Sequence, residues 1–352
     1  MLRLIRTERL SKGAEVGENV YALNGNLLVA RGTLLTEKQI AHLLDLGVPE
    51  VSVVANRLQD LVEPALIHLS TKTRTESALT ALFNRLQNGD SRPSMSALQE
   101  AAQQMVADIQ ELQPSFINFP YPQNSAHYLI SHALHTGILA AGLGYLSGFH
   151  QHLPDITLGA LLSDLGLMLL PRDLLDKPAP LDEAERARVG QHPSAAVKLL
   201  GSTGAYVKTI VYQHHERADG SGYPQHLSGQ NVHPYAGLVG LADIYVALLA
   251  DRPYRTAILP HSVLELVMSM AGWEFDRTLV QNFIRVLPPY PIGTLVHLST
   301  GATGVVVGLA DAIGRPTVRI LTDAGGMDVE PRDISLAEKE NQTIMIDKVL
   351  LD

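Results

Sequence analysis

Between Ser125 and about Arg285, carboxylates and imidazoles recur inside helical segments that are otherwise apolar. Asp164 sits in Ala160-Leu161-Leu162-Ser163-Asp164-Leu165-Gly166, and Asp243 in Leu238-Val239-Gly240-Leu241-Ala242-Asp243-Ile244. A carboxylate at the core position of a buried helix is costly unless a cation or hydrogen-bond donors satisfy it. The histidines are the natural partners, since nine of the fourteen lie between residues 132 and 233. His132, Asp164, His192, His214, His215 and Asp243 are therefore the candidate metal ligands. Imidazole and carboxylate together suit divalent ions such as Mn, Fe, Ni or Zn, and an aspartate can bridge two of them. Two such ions stabilise both the attacking and the leaving oxygen of a phosphate ester, so the chemistry suggested is hydrolysis at phosphorus. His135, His150 and His152 are read as structural.

Composition narrows the rest. The chain has 352 residues, 46% hydrophobic and 18% charged, which supports a sizeable core and two or three domains rather than disorder. A net charge of -9 makes it a poor general partner for DNA or an anionic membrane. With no cysteine, disulfides, thiolate zinc sites and thiol nucleophiles are excluded. The opening MLRLIRTERLSKG lacks the apolar stretch of a secretory signal, and apolar windows such as 138–147 are short for a membrane span. The expected location is the cytoplasm.

Periodicity divides the chain into four parts. Residues 1–65 read as a small α+β module. In it, Val20–Leu23 and Leu27–Ala30 flank a tight Asn24-Gly25 turn. A helix capped by Thr36 and Gln39 follows, presenting Ile40, Leu43, Leu44 and Leu46, with Gly47 at its end and a strand over Val51–Val54. Residues 66–124 read as a helical connector of two helices broken at Asn88–Pro93, and a homodimer through it is one expectation. Residues 125–287 are helical almost throughout. Residues 288–352 carry short β-rich runs at Thr294–Leu298, Gly304–Leu309 and Pro316–Leu321, a small antiparallel β module ending near residue 340. The expected fold class is mainly α, with small α+β and β modules at the two ends.

The most specific signal follows the histidine pair: His214-His215-Glu216-Arg217-Ala218-Asp219-Gly220-Ser221-Gly222-Tyr223-Pro224. Glycines around a serine, then Tyr-Pro, make a tight shaped loop able to lay an aromatic ring over a site. Downstream, Asp251-Arg252-Pro253-Tyr254-Arg255 sets two guanidiniums three residues apart, suited to gripping phosphates. Over roughly 125–285 the chain resembles the HD-GYP family, a branch of the HD phosphohydrolases that cleaves cyclic di-GMP.

The resemblance implies a helical HD-type core with two divalent ions (Fe, Mn or Ni) held by His132, Asp164, His192, His214, His215 and Asp243. Asp164 would be the bridging, catalytic carboxylate. In the loop Gly222-Tyr223-Pro224, Tyr223 would stack on a guanine, while Arg252 and Arg255 would contact the phosphates. Cyclic di-GMP is the implied substrate, with pGpG and GMP as products, and a diguanylate cyclase (GGDEF) domain is an implied partner. Three departures stand out. Ser163 occupies the place of the histidine of the His-Asp pair, Leu167 that of a lysine near the scissile phosphate, and Tyr128 that of a glutamate found in members with a third metal. Losing one imidazole and one phosphate-facing cation predicts a slow or metal-selective phosphodiesterase; the alternative is a catalytically impaired receptor for cyclic di-GMP or an adaptor for a cyclase.

Overall fold

The computed structural model describes the chain except residues 1, 8, 9, 11, 22–26, 49, 55–57, 59, 60, 62, 63, 120–127, 176, 178, 251–254, 311–313, 351 and 352. It divides into two units, residues 65–291 and a unit drawn from both chain ends, 1–64 with 292–352.

In the helical unit, helix starts follow local rules. Asp182 caps α7 (Glu183–Val189) in a reciprocal box with Glu185, and Asp276 accepts from the Leu279 N–H ahead of α12 (Arg277–Val286). Proline opens α10 (Pro234–Leu249) and α11 (Pro260–Ser269), where its missing N–H costs nothing. The connector forms α2 (Leu69–Gln87) and α3 (Ser96–Leu112), which pack on α4 (Tyr128–Leu146) and, for α3, on α5 (Leu153–Leu162). These helices share one apolar core that includes Leu79, Met105, Leu139 and Leu161. Helix α4 is long and apolar enough to cross a membrane by composition, but 72% of its most apolar window is buried inside the unit. α4 also packs on α10, and α5 packs on α9 (Ala205–Gln213). The apolar runs around Asp164 and Asp243 are thus the walls of a helical bundle, and both acids lie inside it, 9% and 6% exposed.

The terminal segments form small sheets. β1 (Leu2–Arg6) pairs antiparallel with β4 (Glu50–Val54), and β2 (Val20–Tyr21) with β3 (Leu27–Val29). The expected Asn24-Gly25 turn lies outside the described residues. Thr36 caps α1 (Glu37–Asp45) with Gln39 in the anticipated box. Of that helix's expected apolar face, Leu43 is fully buried, whereas Leu44 and Leu46 are exposed, because only one narrow stripe meets the core around Val16, Val29 and Val51. The C-terminal sheet has five antiparallel strands: β5 (Leu295–Leu298), β6 (Thr303–Gly308), β7 (Thr317–Thr322), β8 (Asp328–Ser335) and β9 (Ile346–Leu350), in the order β8-β7-β6-β5-β9. The two strands that periodicity missed, β8 and β9, are the edges. β8 is mostly exposed and carries Pro331, so it has no apolar alternation to read.

Candidate metal centre

Each candidate ligand is delivered by a helix or a helix end. His132 is one turn into α4, Asp164 follows α5, His192 opens α8 (His192–Leu199), His214 caps α9, and Asp243 lies inside α10. Asp164 is the meeting point. Its Oδ1 faces His192 Nε2 at 3.3 Å and His214 Nε2 at 3.9 Å, while its Oδ2 faces His132 Nε2 at 3.4 Å. His132 Nε2 lies 2.6 Å from Asp243 Oδ1. Two donor groups result: Asp164 with His192, His214 and His215, and Asp164 with His132 and Asp243.

The orientation of the imidazoles is set from behind. His192 Nδ1–H donates to the Val189 carbonyl at 2.8 Å and His214 Nδ1–H to the Val211 carbonyl at 2.9 Å, which turns both Nε2 atoms inward. Those two nitrogens are 3.5 Å apart and both confront Asp164. Only a cation or shared protons between them make that grouping favourable in a buried place. Burial pushes His214 down to about 4, with His192 adding to the effect, and holds His215 well below the ordinary imidazole value. Both are therefore neutral, with lone pairs free for a metal, at pH 7. For Asp164, burial alone would raise the carboxyl; the hydrogen bond from His192 and the nearness of His132, His192 and His214 outweigh it and keep the group ionised. Among the described residues its ion-pair partners are all histidines. A buried anion ringed by imidazole nitrogens fits a divalent cation.

Three glycines make this convergence sterically possible. A Cβ at Gly166 would collide with the His192 carbonyl, one at Gly240 with the His214 carbonyl, and one at Gly222 with the His215 carbonyl. The loop after the histidine pair is shaped by a residue to which sequence reasoning gave no role. Glu216, 1% exposed, accepts from the Gln225 N–H at 2.6 Å and the Leu227 N–H at 2.9 Å. It thereby ties the histidine pair to the far side of the Gly222-Tyr223-Pro224 turn, where the Tyr223–Pro224 peptide is cis. A charged residue next to the His pair was the available signal. The Tyr223 ring stacks on His215, centroids 4.6 Å apart and 23° between planes, and meets His192 edge-on. Burial and the nearby Asp164 and Asp243 raise its phenol, so the ring is a neutral wall over the centre. Arg217 braces the same segment, donating to the carbonyls of His214 at 3.1 Å and Glu216 at 2.9 Å.

The departures have definite surroundings. Ser163, 1% exposed, turns its hydroxyl onto the Ala160 carbonyl at 2.9 Å. Leu167 is half-buried in the short 3-10 turn Leu165–Leu169. The Tyr128 hydroxyl lies 3.0 Å from His132 Nδ1. Of the two arginines, Arg252 lies outside the described residues. Arg255 donates to the carbonyls of Ala247 at 2.7 Å and Leu248 at 3.2 Å, capping the end of α10.

Residues 146–279 match the family model of the HD domain. A cyclic di-GMP phosphodiesterase of Pseudomonas aeruginosa is 34% identical over 155 residues, 43% of this chain and 37% of that protein. One from Borreliella burgdorferi is 27% identical over 199 residues, covering 55% and 52%. A 3'3'-cGAMP-specific phosphodiesterase of Vibrio cholerae is 30% identical over 156 residues, covering 43% and 30%. The chain thus spans 30% to 52% of the length of these curated relatives.

Proposed function

We propose, from the premise that the helical unit is an HD domain of the HD-GYP branch, that the chain is a metal-dependent phosphodiesterase acting on cyclic di-GMP. The observation that carries this reading is the division of Asp164, whose two oxygens face two different sets of donors. His192, His214 and His215 would hold one ion and His132 with Asp243 another, Asp164 serving both. Divalent ions here would supply Lewis acidity at the phosphodiester and an activated water.

The protein's own contribution is positioning. Neutral imidazoles at His214 and His215 leave their lone pairs inward, and the ionised Asp164 keeps the centre negative enough to hold cations. Tyr223, fixed on His215, offers an aromatic wall suited to a purine. With Ser163 bonded to its own helix, the His132 side has one imidazole fewer than the His192 side, so turnover is slow and dependent on the metal supplied. Products are pGpG and, by a second cut, GMP. Purified protein loaded anaerobically with Fe²⁺ or Mn²⁺ should convert cyclic di-GMP to a linear product, and Asp164→Ala should abolish this; equal turnover in the variant overturns the reading.

One pair of residues favours a second reading. Ser163 and Leu167 stand where the chemistry has most need of a ligand and a cation, while the loop that would contact a nucleotide is whole. The chain would then bind cyclic di-GMP, or a diguanylate cyclase domain, without hydrolysing it. Calorimetry separates the two: tight nucleotide binding with no product selects the receptor.

A further inference from the structure

We infer that Tyr128 is the positioning residue of His132, and that its hydroxyl sets how well the His132 side of the centre holds a cation. The inference rests on the reading of His132 as a ligand. His192 and His214 are each aimed by a backbone carbonyl three residues earlier, Val189 and Val211. His132 instead takes its outer partner from a side chain, the Tyr128 hydroxyl at 3.0 Å from Nδ1. The two residues lie one turn apart on α4, and their rings stack at 5.4 Å with 22° between planes. The stack fixes the plane of the imidazole, and the hydroxyl fixes which nitrogen faces outward. When Nδ1–H donates to the tyrosine oxygen, the Nε2 lone pair is left for a cation shared with Asp164 and Asp243, whose oxygens lie 3.4 and 2.6 Å from it.

A carbonyl anchor survives any side-chain substitution; a hydroxyl does not. The His132 side is therefore the half of the centre that a single atom can detune, and it is also the half that Ser163 leaves short of a ligand. Tyrosine suits this role because its oxygen accepts the hydrogen bond from Nδ1–H without adding a negative charge beside two carboxylates.

The test is Mn²⁺ titration of the metal-free protein, reading free Mn²⁺ by electron paramagnetic resonance, with thermal melting of the same samples. His132→Ala identifies the ion held by the His132 side. Tyr128→Phe keeps the stack and should weaken that ion by about 10- to 100-fold, the usual effect of losing an outer-shell partner, while leaving other Mn²⁺ binding and the metal-free melting temperature unchanged. Tyr128→Gln, which restores an acceptor oxygen, should recover part of the loss. Unchanged affinity in Tyr128→Phe overturns the inference, as does a fall in metal-free melting temperature that Tyr128→Gln fails to recover. Full Mn²⁺ binding in His132→Ala overturns it by removing His132 from the ligand set, and a native chain that binds no Mn²⁺ overturns the functional reading along with it.

Discussion

The two halves of the centre share Asp164 and are built on different logics. On one side, His192 and His214 stand at helix ends, are oriented by main-chain carbonyls, and lie beside a third imidazole, His215. On the other, His132 and Asp243 project from helix interiors, and Ser163, just before Asp164, spends its hydroxyl on its own helix. The first half is oriented by backbone carbonyls; the second is oriented by a side chain, the Tyr128 hydroxyl.

The largest effect should come from removing what both halves share. Asp164→Ala should reduce cyclic di-GMP turnover to the metal-free background and abolish the rise in melting temperature that Mn²⁺ produces, because an ion that binds only the folded state must stabilise it. Residual metal stabilisation would mean that the halves are independent of Asp164. Next in size is repair of the weaker half. Ser163→His should tighten the ion on the His132 side by at least about tenfold, the lower end of what even an outer partner contributes, and raise turnover with it. Mn²⁺ titration alongside product chromatography checks both.

A smaller contrast lies within α10. Gly240→Ala drives a methyl into the His214 carbonyl and should destabilise the helical unit by about 1–3 kcal/mol, as overpacking does. Gly237→Ala, three residues earlier, meets only the movable Leu279 side chain at 3.3 Å and should be neutral or stabilising through better helix propensity. Denaturant melts of the two variants measure the difference. A further contrast is in pH. Burial lowers His214 and His135 to about 4 in the folded chain, against an unfolded value of about 6.5. Because the unfolded state takes up these protons first, metal-free stability should be level above pH 6.5 and fall as pH drops from there toward 4. At pH 6 the loss is about 1 kcal/mol per group. Melts at pH 7.5, 6 and 5 that show no such slope would contradict the burial of the two rings.

Much of the centre could be read from letters alone because its chemistry is out of place. Asp164 and Asp243 interrupt apolar helices, and the HHExxDGSGYP run is too specific to be a generic loop. The helical connector and its break at Asn88–Pro93 were equally plain, since turn residues separate two helix-forming stretches. What escaped had a cause in geometry rather than composition. Glu216 looks like any surface glutamate until the loop folds back and sets two amides on it. Tyr128 shows in the sequence only as a replacement, because its bond to His132 depends on both residues sharing one helix face. Arg255, read as a phosphate contact, has its guanidinium on the carbonyls that end α10, a partner set no spacing rule reveals. The edge strands β8 and β9 lack the alternation that would announce them.

Gly166, Gly222 and Gly240 bring no side chain to the centre. Each lies against the main chain of a different histidine of the centre, and none carries an atom that does chemistry. What they contribute is vacancy, a space the size of one methyl group. A catalogue of vulnerable positions compiled from donors, acids and bases would pass over all three, although inheriting any side chain there would push a histidine backbone out of place. In this fold, part of the blueprint for holding an ion is written in what has been left out.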